Sequence, residues 1–498
     1  MKASWSLVGS TLLAASSVWA DGSARILPQG LPDPRLVSNG VQTGTQPKPT
    51  FFGYQDQEEP LSRAQVNLFE TWFGQSVFPS SSVTRLVNGV PTPINNGNSF
   101  LDLSTIYGLD PATNTPSSVS NGAITPPGLF PQDIQVGGDS RAVENVALAL
   151  LHSFWIREHN QAVKQVLNGR LVSASDETIF QIARAITISE YQYVIFNEYV
   201  PTIIGKPLPF YNGYNKSVDP TTSNLFAGAI YRYGHSTVRD YDIVDIQKSF
   251  FGTKVNVTDG MIATRFPFGG QIVVLGSGRD VMTPAARYLA LASGSSGDGF
   301  ANIFSSLILS RQAETDTIIH NALRNSIALD LFSTDILRSR LDGLPSYTAV
   351  RARYGPSDLL TAPECVKSIS SVACFQLITP SNPSLAQSLQ SLYTNVTSID
   401  ALVGALAEEQ FVRKRDGDRF YTPIDQLLPT LADIISGEFG IADGAGIADE
   451  ISSALDLYST SMSNIIGRNL GLYGLPNNVF KVPKYASVVP FYSACPAN

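Results

Sequence analysis

Four histidines serve a chain of 498 residues, and one of them, His235, closes the aromatic run AIYRYGH at residues 229–235. An imidazole can ligate a metal through one ring nitrogen while a hydrogen bond holds the other. A second chemical pair is Arg141 and Glu144, three apart in GGDSRAVENVALALLHSFWIREHNQAVKQVLNG, residues 137–169. On a helix that spacing places a permanently charged fork and a carboxylate on one face. Such a pair can stabilise a developing negative charge on oxygen, or can be no more than a local ion pair. His152 and His159 follow on the same helix, but at about 1.5 Å per residue His159 lies roughly 27 Å from Arg141. These two histidines are therefore expected to pack or hydrogen-bond rather than to share a site with Arg141.

The helix that must position this pair is legible. Asp139 and Ser140 are N-cap types; Val143, Val146, Leu150, Phe154 and Ile156 leave little polar surface, and Gly169 can end it. Long helical patterns continue to the C-terminus with no clear linker or repeat after residue 60, so residues 61–498 are expected to form one mainly α domain. Residues 21–60, rich in Pro, Gly and Gln, read as an extended arm, and residues 1–20 as a secretory signal peptide. No later stretch reaches the roughly 18 apolar residues of a membrane span, so the mature chain is expected to be secreted and extracellular. Sequons at Asn215, Asn256 and Asn395 would then be open to glycosylation. Cys365 and Cys374 lie close enough to close a small loop, with Cys495 left over and no fixed connectivity. Lys and Arg total 34 against 42 Asp and Glu, a net charge of −8, with no basic stripe to hold a nucleic acid.

Taken together, the motifs resemble the animal-type haem peroxidases. GGDSRAVENVALALLHSFWIREHN is similar to that family's GD-x-R-x-x-E segment with its following REHN helix. NSFLDLSTIYG (98–108), YNKSVDP (214–220), YRYGH (231–235), ILRSRLDGLPSY (336–347) and RKRDGDRFYT (413–422) match further motifs in chain order. The resemblance implies a mainly helical domain with little β structure enclosing haem b. His235 then matches the proximal iron ligand. Asp335 takes the position of the asparagine that holds the ligand's other nitrogen, and a carboxylate there is expected to pull the imidazole toward imidazolate character. Leu341-Asp342 replaces the family's Asp-His, while Arg338 matches an arginine expected to meet a haem propionate. Arg141 matches the distal arginine that stabilises the leaving oxygen of peroxide. Glu144 matches a carboxylate that the family can join to the haem as an ester.

The family's distal base is a histidine in G-Q-x-x-D-H-D, and the matching stretch here is LFETWFGQSVFPSSS, residues 68–82. Aligning on Gly74-Gln75 puts Pro79 at the histidine, and sliding by one residue puts Phe78 there. Neither is a base, so peroxide activation is expected to be slow; Gln75 is the expected polar neighbour of Arg141. The family's calcium loop corresponds to Asn98, Phe100 (backbone), Asp102 and Ser104, an oxygen set suited to Ca²⁺. Its remaining carboxylate is lost to Ser80 or Pro79, and a turn stabilised by Asp102 and Ser104 is the rival account.

The expected function is a peroxidase-type oxidoreductase that uses hydrogen peroxide or an organic hydroperoxide to oxidise a small organic co-substrate. One alternative is a non-catalytic haem-binding relative. The other is a fatty-acid oxygenase, whose tyrosine three residues before the proximal histidine is here Arg232, flanked by Tyr231 and Tyr233.

Overall fold

Helices make up most of the described residues, and short polar side chains start them. The computed structural model describes residues 31–40, 61–62, 64–77, 82–87, 90–95, 100–108, 119–120, 123–124, 139, 146–167, 174–204, 207–208, 223–239, 299–320, 323, 330–354, 358–408, 460–472 and 475–482. The helices used below are α1 (Pro34–Gly40), α2 (Leu68–Val77), α3 (Val146–Leu167), α4 (Asp176–Val194), α5 (Asn224–Gly228), α6 (Gly299–Leu309), α7 (Leu331–Leu341), α8 (Tyr347–Tyr354), α9 (Pro383–Leu392), α10 (Ala401–Ala407) and α11 (Met462–Leu470). The described strands are two small antiparallel hairpins, Ser82–Val87 with Val90–Asn95 and Val119–Ser120 with Ala123–Ile124. The fold is mainly α, as expected.

Ser175 caps α4 by accepting the Thr178 amide at 3.2 Å, and Asp330 caps α7 by accepting the Ser333 amide at 2.9 Å. Each satisfies a backbone donor that the first helical turn leaves unpaired. The described part of α3 begins at Val146, so Ser140, Arg141 and Glu144 lie outside the described residues.

The core forms where α3 lies along α4 and α2 crosses both the α3 and α6 surfaces. α2 is buried on nearly every side, its polar Glu70, Thr71 and Ser76 included. Its Phe69 and Phe73 meet Phe304, Tyr199 and Phe480 at ring separations of 5.0 to 5.6 Å, stacked for Phe69–Phe480 and tilted or edge-on for the rest. α4 runs into a π turn, Ile195–Tyr199, in which the Val200 amide reaches back to the Ile195 carbonyl. Pro201 follows; with no N–H and a ring that crowds the carbonyl four residues back, it favours a widened turn.

Cys365 and Cys374 are joined in a disulfide whose partners are nine residues apart, while Cys495 lies outside the described residues. Loop closure on that scale constrains the unfolded chain by about 2–3 kcal/mol. Cys365→Ser with Cys374→Ser should therefore lower the unfolding free energy by about that amount in urea titrations under oxidising conditions, and reductant should have the same effect on the parent chain.

Candidate functional site

His235 ends a 3-10 turn, Ile230–His235, that follows α5 after a break at Ala229. Asp335 sits in the second turn of α7. The two elements are brought together by a close approach: Ser339 on α7 donates to the Gly228 carbonyl at 3.0 Å. A Cβ on Gly228 would come within 3.1 Å of a Leu344 methyl, which would have to give by a few tenths of an ångström. Across this junction His235 Nδ1 lies 2.6 Å from Asp335 Oδ2, a short, charge-assisted distance. The Asp335 side chain is fully buried and that of His235 is 26% exposed. Only Nδ1 enters this contact, which leaves Nε2 on the exposed side of the ring to meet a ligand.

The other three histidines are buried. His152 Nδ1 lies 2.8 Å from the Leu148 carbonyl and His159 Nδ1 2.9 Å from the Tyr107 hydroxyl, both within the helical packing as expected. His320 is 4% exposed.

Asp335 is a buried carboxylate, and burial by itself would raise its pKa. The charge and hydrogen bond of His235, with the charges of Arg232 and Arg338, outweigh that and hold it below the usual carboxylate value. Arg232 NH1 is 3.2 Å from Asp335 Oδ1, so one carboxylate oxygen faces the His235 imidazole and the other the Arg232 guanidinium. Sequence reading passed over Arg232 except as a missing tyrosine. The signal was its spacing: three residues make one 3-10 turn, which sets Arg232 and His235 on the same side. Asp342 lies nearby, its carboxyl raised by burial and pulled back by Arg338 and Arg232.

A second polar group lies between this turn and α2. Tyr233 donates to Glu70 Oε1 at 2.8 Å, Tyr231 donates to the Gly74 carbonyl at 3.1 Å, and the Tyr231 and Tyr199 hydroxyls are 2.9 Å apart. The Gln312 amide, turned to donate, reaches Glu70 Oε2 at 2.8 Å. Gly74 is required here, because a Cβ would fall 2.3 Å from the Tyr199 hydroxyl. Gln75 follows it on α2, partly exposed. Sequence reading missed Glu70 and Tyr199, and named Tyr231 and Tyr233 only as the neighbours of Arg232.

Glu70 is 2% exposed, and burial raises its pKa to about 7 against the hydrogen bonds from Tyr233 and Gln312. The folded chain thus keeps a proton that the unfolded chain releases near pH 4.5. Stability should fall as pH rises from about 4.5 to 7 and then level off, by about 3 kcal/mol in all from this group. Urea unfolding at pH 5 and 7.5 should show that decline in the parent chain and a smaller one in Glu70→Gln.

The remaining expected residues are less closely gathered. Arg338 is near Asp335 and Asp342 through its field. Asp102 Oδ1 accepts the Ser104 amide at 3.0 Å, which is the turn contact anticipated as the rival to calcium. Phe100 precedes it, and Asn98 lies outside the described residues, as do Phe78, Pro79 and Ser80. Among the described residues no three His, Cys, Asp or Glu side chains converge as a metal site, and no helix is long and apolar enough to cross a membrane.

An imidazole held at Nδ1 by a buried carboxylate, with its other nitrogen outward in a helical fold, is the donor arrangement of a metal-binding histidine. The family model for the animal haem peroxidases matches residues 62–427. The chain belongs to that family. Thyroid peroxidase of Canis lupus familiaris is 30% identical over 357 residues, covering 70% of this chain and 34% of that protein. The chain spans less than half the length of the mammalian peroxidases that it matches. Peroxidase A of Dictyostelium discoideum shares the fold with a TM-score of 0.62 at 19% identity, covering 92% of this chain and 94% of that one. Fatty acid alpha-dioxygenase of Arabidopsis thaliana shares it with a TM-score of 0.61 at 14% identity, covering 94% and 79%.

Proposed function

We propose that the chain is a secreted haem-dependent oxidoreductase of peroxidase type, using hydrogen peroxide or an organic hydroperoxide to oxidise a small organic co-substrate. The observation that carries this reading is the 2.6 Å His235–Asp335 pair in a chain of this family. The donor set fits haem: a neutral-nitrogen ligand with a fixed tautomer, and Arg338 on the same helix for a propionate. When bound, the haem supplies the redox-active iron on which the peroxide bond is split.

The chain's own residues set the conditions for that chemistry. Asp335 would hold the proton of His235 at Nδ1 and leave Nε2 to ligate the iron, raising its basicity as a ligand. Arg232, by pairing with the second carboxylate oxygen, keeps Asp335 ionised. Arg141 is assigned to the distal face, where its fixed positive charge would stabilise the departing oxygen, with Gln75 beside it. Glu144 would attach or position the haem edge. A calcium ion on Asn98, the Phe100 carbonyl, Asp102 and Ser104 belongs to the same reading.

With Phe78 or Pro79 in place of a distal histidine, no imidazole shuttles the peroxide proton. Peroxide activation should then be slower than in a relative with that histidine by about 10²-fold or more. Stopped-flow spectra of haem-loaded protein mixed with peroxide check this, and a rate equal to that of such a relative would overturn it. The haem reading itself is tested by the absorption spectrum of protein purified from haem-supplied cells, before and after peroxide and then an electron donor. A Soret band that shifts and recovers supports the enzyme, one that never shifts supports a haem-binding relative, and a colourless protein ends the proposal. The shared fold of the dioxygenase favours one other reading, a fatty-acid oxygenase, which predicts oxygen uptake with unsaturated fatty acid and no peroxide.

A further inference from the structure

The helix that carries Asp335 is pinned at both ends by the N-terminal arm, about 300 residues away in the chain. At its start, Ser38 Oγ reaches Asp330 Oδ1 and Oδ2 at 3.0 and 2.8 Å. Asp330 is the cap of α7: besides the Ser333 amide at its side chain, its backbone carbonyl accepts the Thr334 amide at 3.0 Å. At the other end, Arg340 donates to the Pro32 carbonyl while both Asp400 oxygens clamp its guanidinium. Between these two points Val37 and Ser38 are fully buried, and Gly40 leans on Leu392 of α9. The arm segment thus lies on the fold with Val37 and Ser38 inserted into it, and it bonds to each end of a single helix.

Asp335 lies five residues beyond the Asp330 cap, about 7.5 Å along the helix axis. A charge-assisted hydrogen bond as short as the one it makes with His235 weakens steeply with small displacements. We propose that residues 32–38 are a strap that positions Asp335, and that Ser38 is a positioning residue acting through the Asp330 cap to keep the Asp335 carboxylate in register with His235. Without the Ser38 hydroxyl, the Asp330 carboxylate keeps the Ser333 amide but loses the donor that fixes its rotation. The first turn of α7 then shifts, and with it the carboxylate one turn further on. What this does to bound iron rests on the haem reading above; the hydrogen bond itself does not.

The test uses the full chain labelled with ¹⁵N-histidine and without haem. Four histidines give few ring signals. That of His235 Nδ1–H should stand far downfield because of its carboxylate partner, and His235→Gln assigns it by its loss. Ser38→Ala should move this resonance upfield and speed its exchange with solvent, leaving the His152 and His159 signals in place, and Ser38→Thr, which keeps the hydroxyl, should restore it. In haem-loaded protein the same Ser38→Ala change should lower the iron–histidine stretching frequency. An unchanged His235 resonance in Ser38→Ala overturns the strap. So does an equal disturbance of all the histidine signals, which would mean general loosening. A parent chain that takes up no haem would sink the haem reading, and the haem-free comparison would still decide the positioning.

Discussion

His235→Ala should give a folded protein that no longer retains haem. The side chain is a quarter exposed, so its removal forfeits little burial, and the loss falls on ligation. Removing only an outer hydrogen-bond partner of a metal ligand commonly weakens binding roughly 10–100-fold; removing the ligand itself should exceed that range in a Soret titration of the apo-protein. Asp335→Asn is the graded companion. It keeps an oxygen for Nδ1–H but removes the charge, so the iron should be easier to reduce and its midpoint potential should rise. Haem affinity unchanged in His235→Ala would mean that the iron is held elsewhere. In the alanine variant Asp335 also loses the largest favourable influence on its ionisation and keeps the burial, so its pKa should climb from its depressed position. The contribution that Asp335 makes to stability is present above about pH 4 in the parent chain and is lost as pH falls through its lowered pKa. In His235→Ala that loss should begin at higher pH.

The second large effect is expected at Arg340. Its guanidinium donates to Asp400 Oδ1 and Oδ2 at 2.9 and 2.7 Å, and Tyr393 donates to Oδ2 at 2.6 Å. The side chains of Arg340 and Asp400 are 4% and 6% exposed. Arg340→Leu would leave a carboxylate in a dry interior with one hydroxyl for a partner. Breaking a buried pair from one side costs about 3–5 kcal/mol, whereas replacing both members by apolar groups of similar volume is often close to neutral. Urea or thermal unfolding should therefore show Arg340→Leu as severely destabilised, and Arg340→Leu with Asp400→Leu as substantially recovered. A single substitution costing under about 1 kcal/mol would place this pair with ordinary surface bridges.

These two sites differ in how far the sequence disclosed them. His235 and Asp335 were named because motifs in order resembled a family; nothing in their own spacing joins residues 100 apart. Local chemistry was easier to read. The disulfide loop, the packing roles of His152 and His159, and the predominance of helix all follow from short-range patterns. Glu70 and its tyrosines were not legible, because Glu70, Thr71 and Gln75 share one side of α2 and read as a solvated face, whereas the fold buries Thr71 and Glu70. Its partner Tyr233 lies 163 residues later, a pairing that only the tertiary fold creates. The strap was hidden for a similar reason: residues 21–60 have the composition of a loose arm, and only the burial of Val37 and Ser38 shows otherwise. Arg141 and Glu144 lie outside the described residues, so their assignment stays with the motif.

The widened turn before Pro201 takes up one extra residue without turning what lies beyond it. Wound into a regular helix, an additional residue would swing each later side chain by about 100° around the axis; held in a single wide turn, it leaves the following residues in phase. Tyr199, which meets Tyr231 above Gly74, and Glu198, which accepts the Met462 amide at 2.9 Å, both lie inside the bulge. Deleting a single residue between Val194 and Val200 should restore a regular spiral and keep Val200 onward in place, so the loss would fall on the two side chains that the bulge presents.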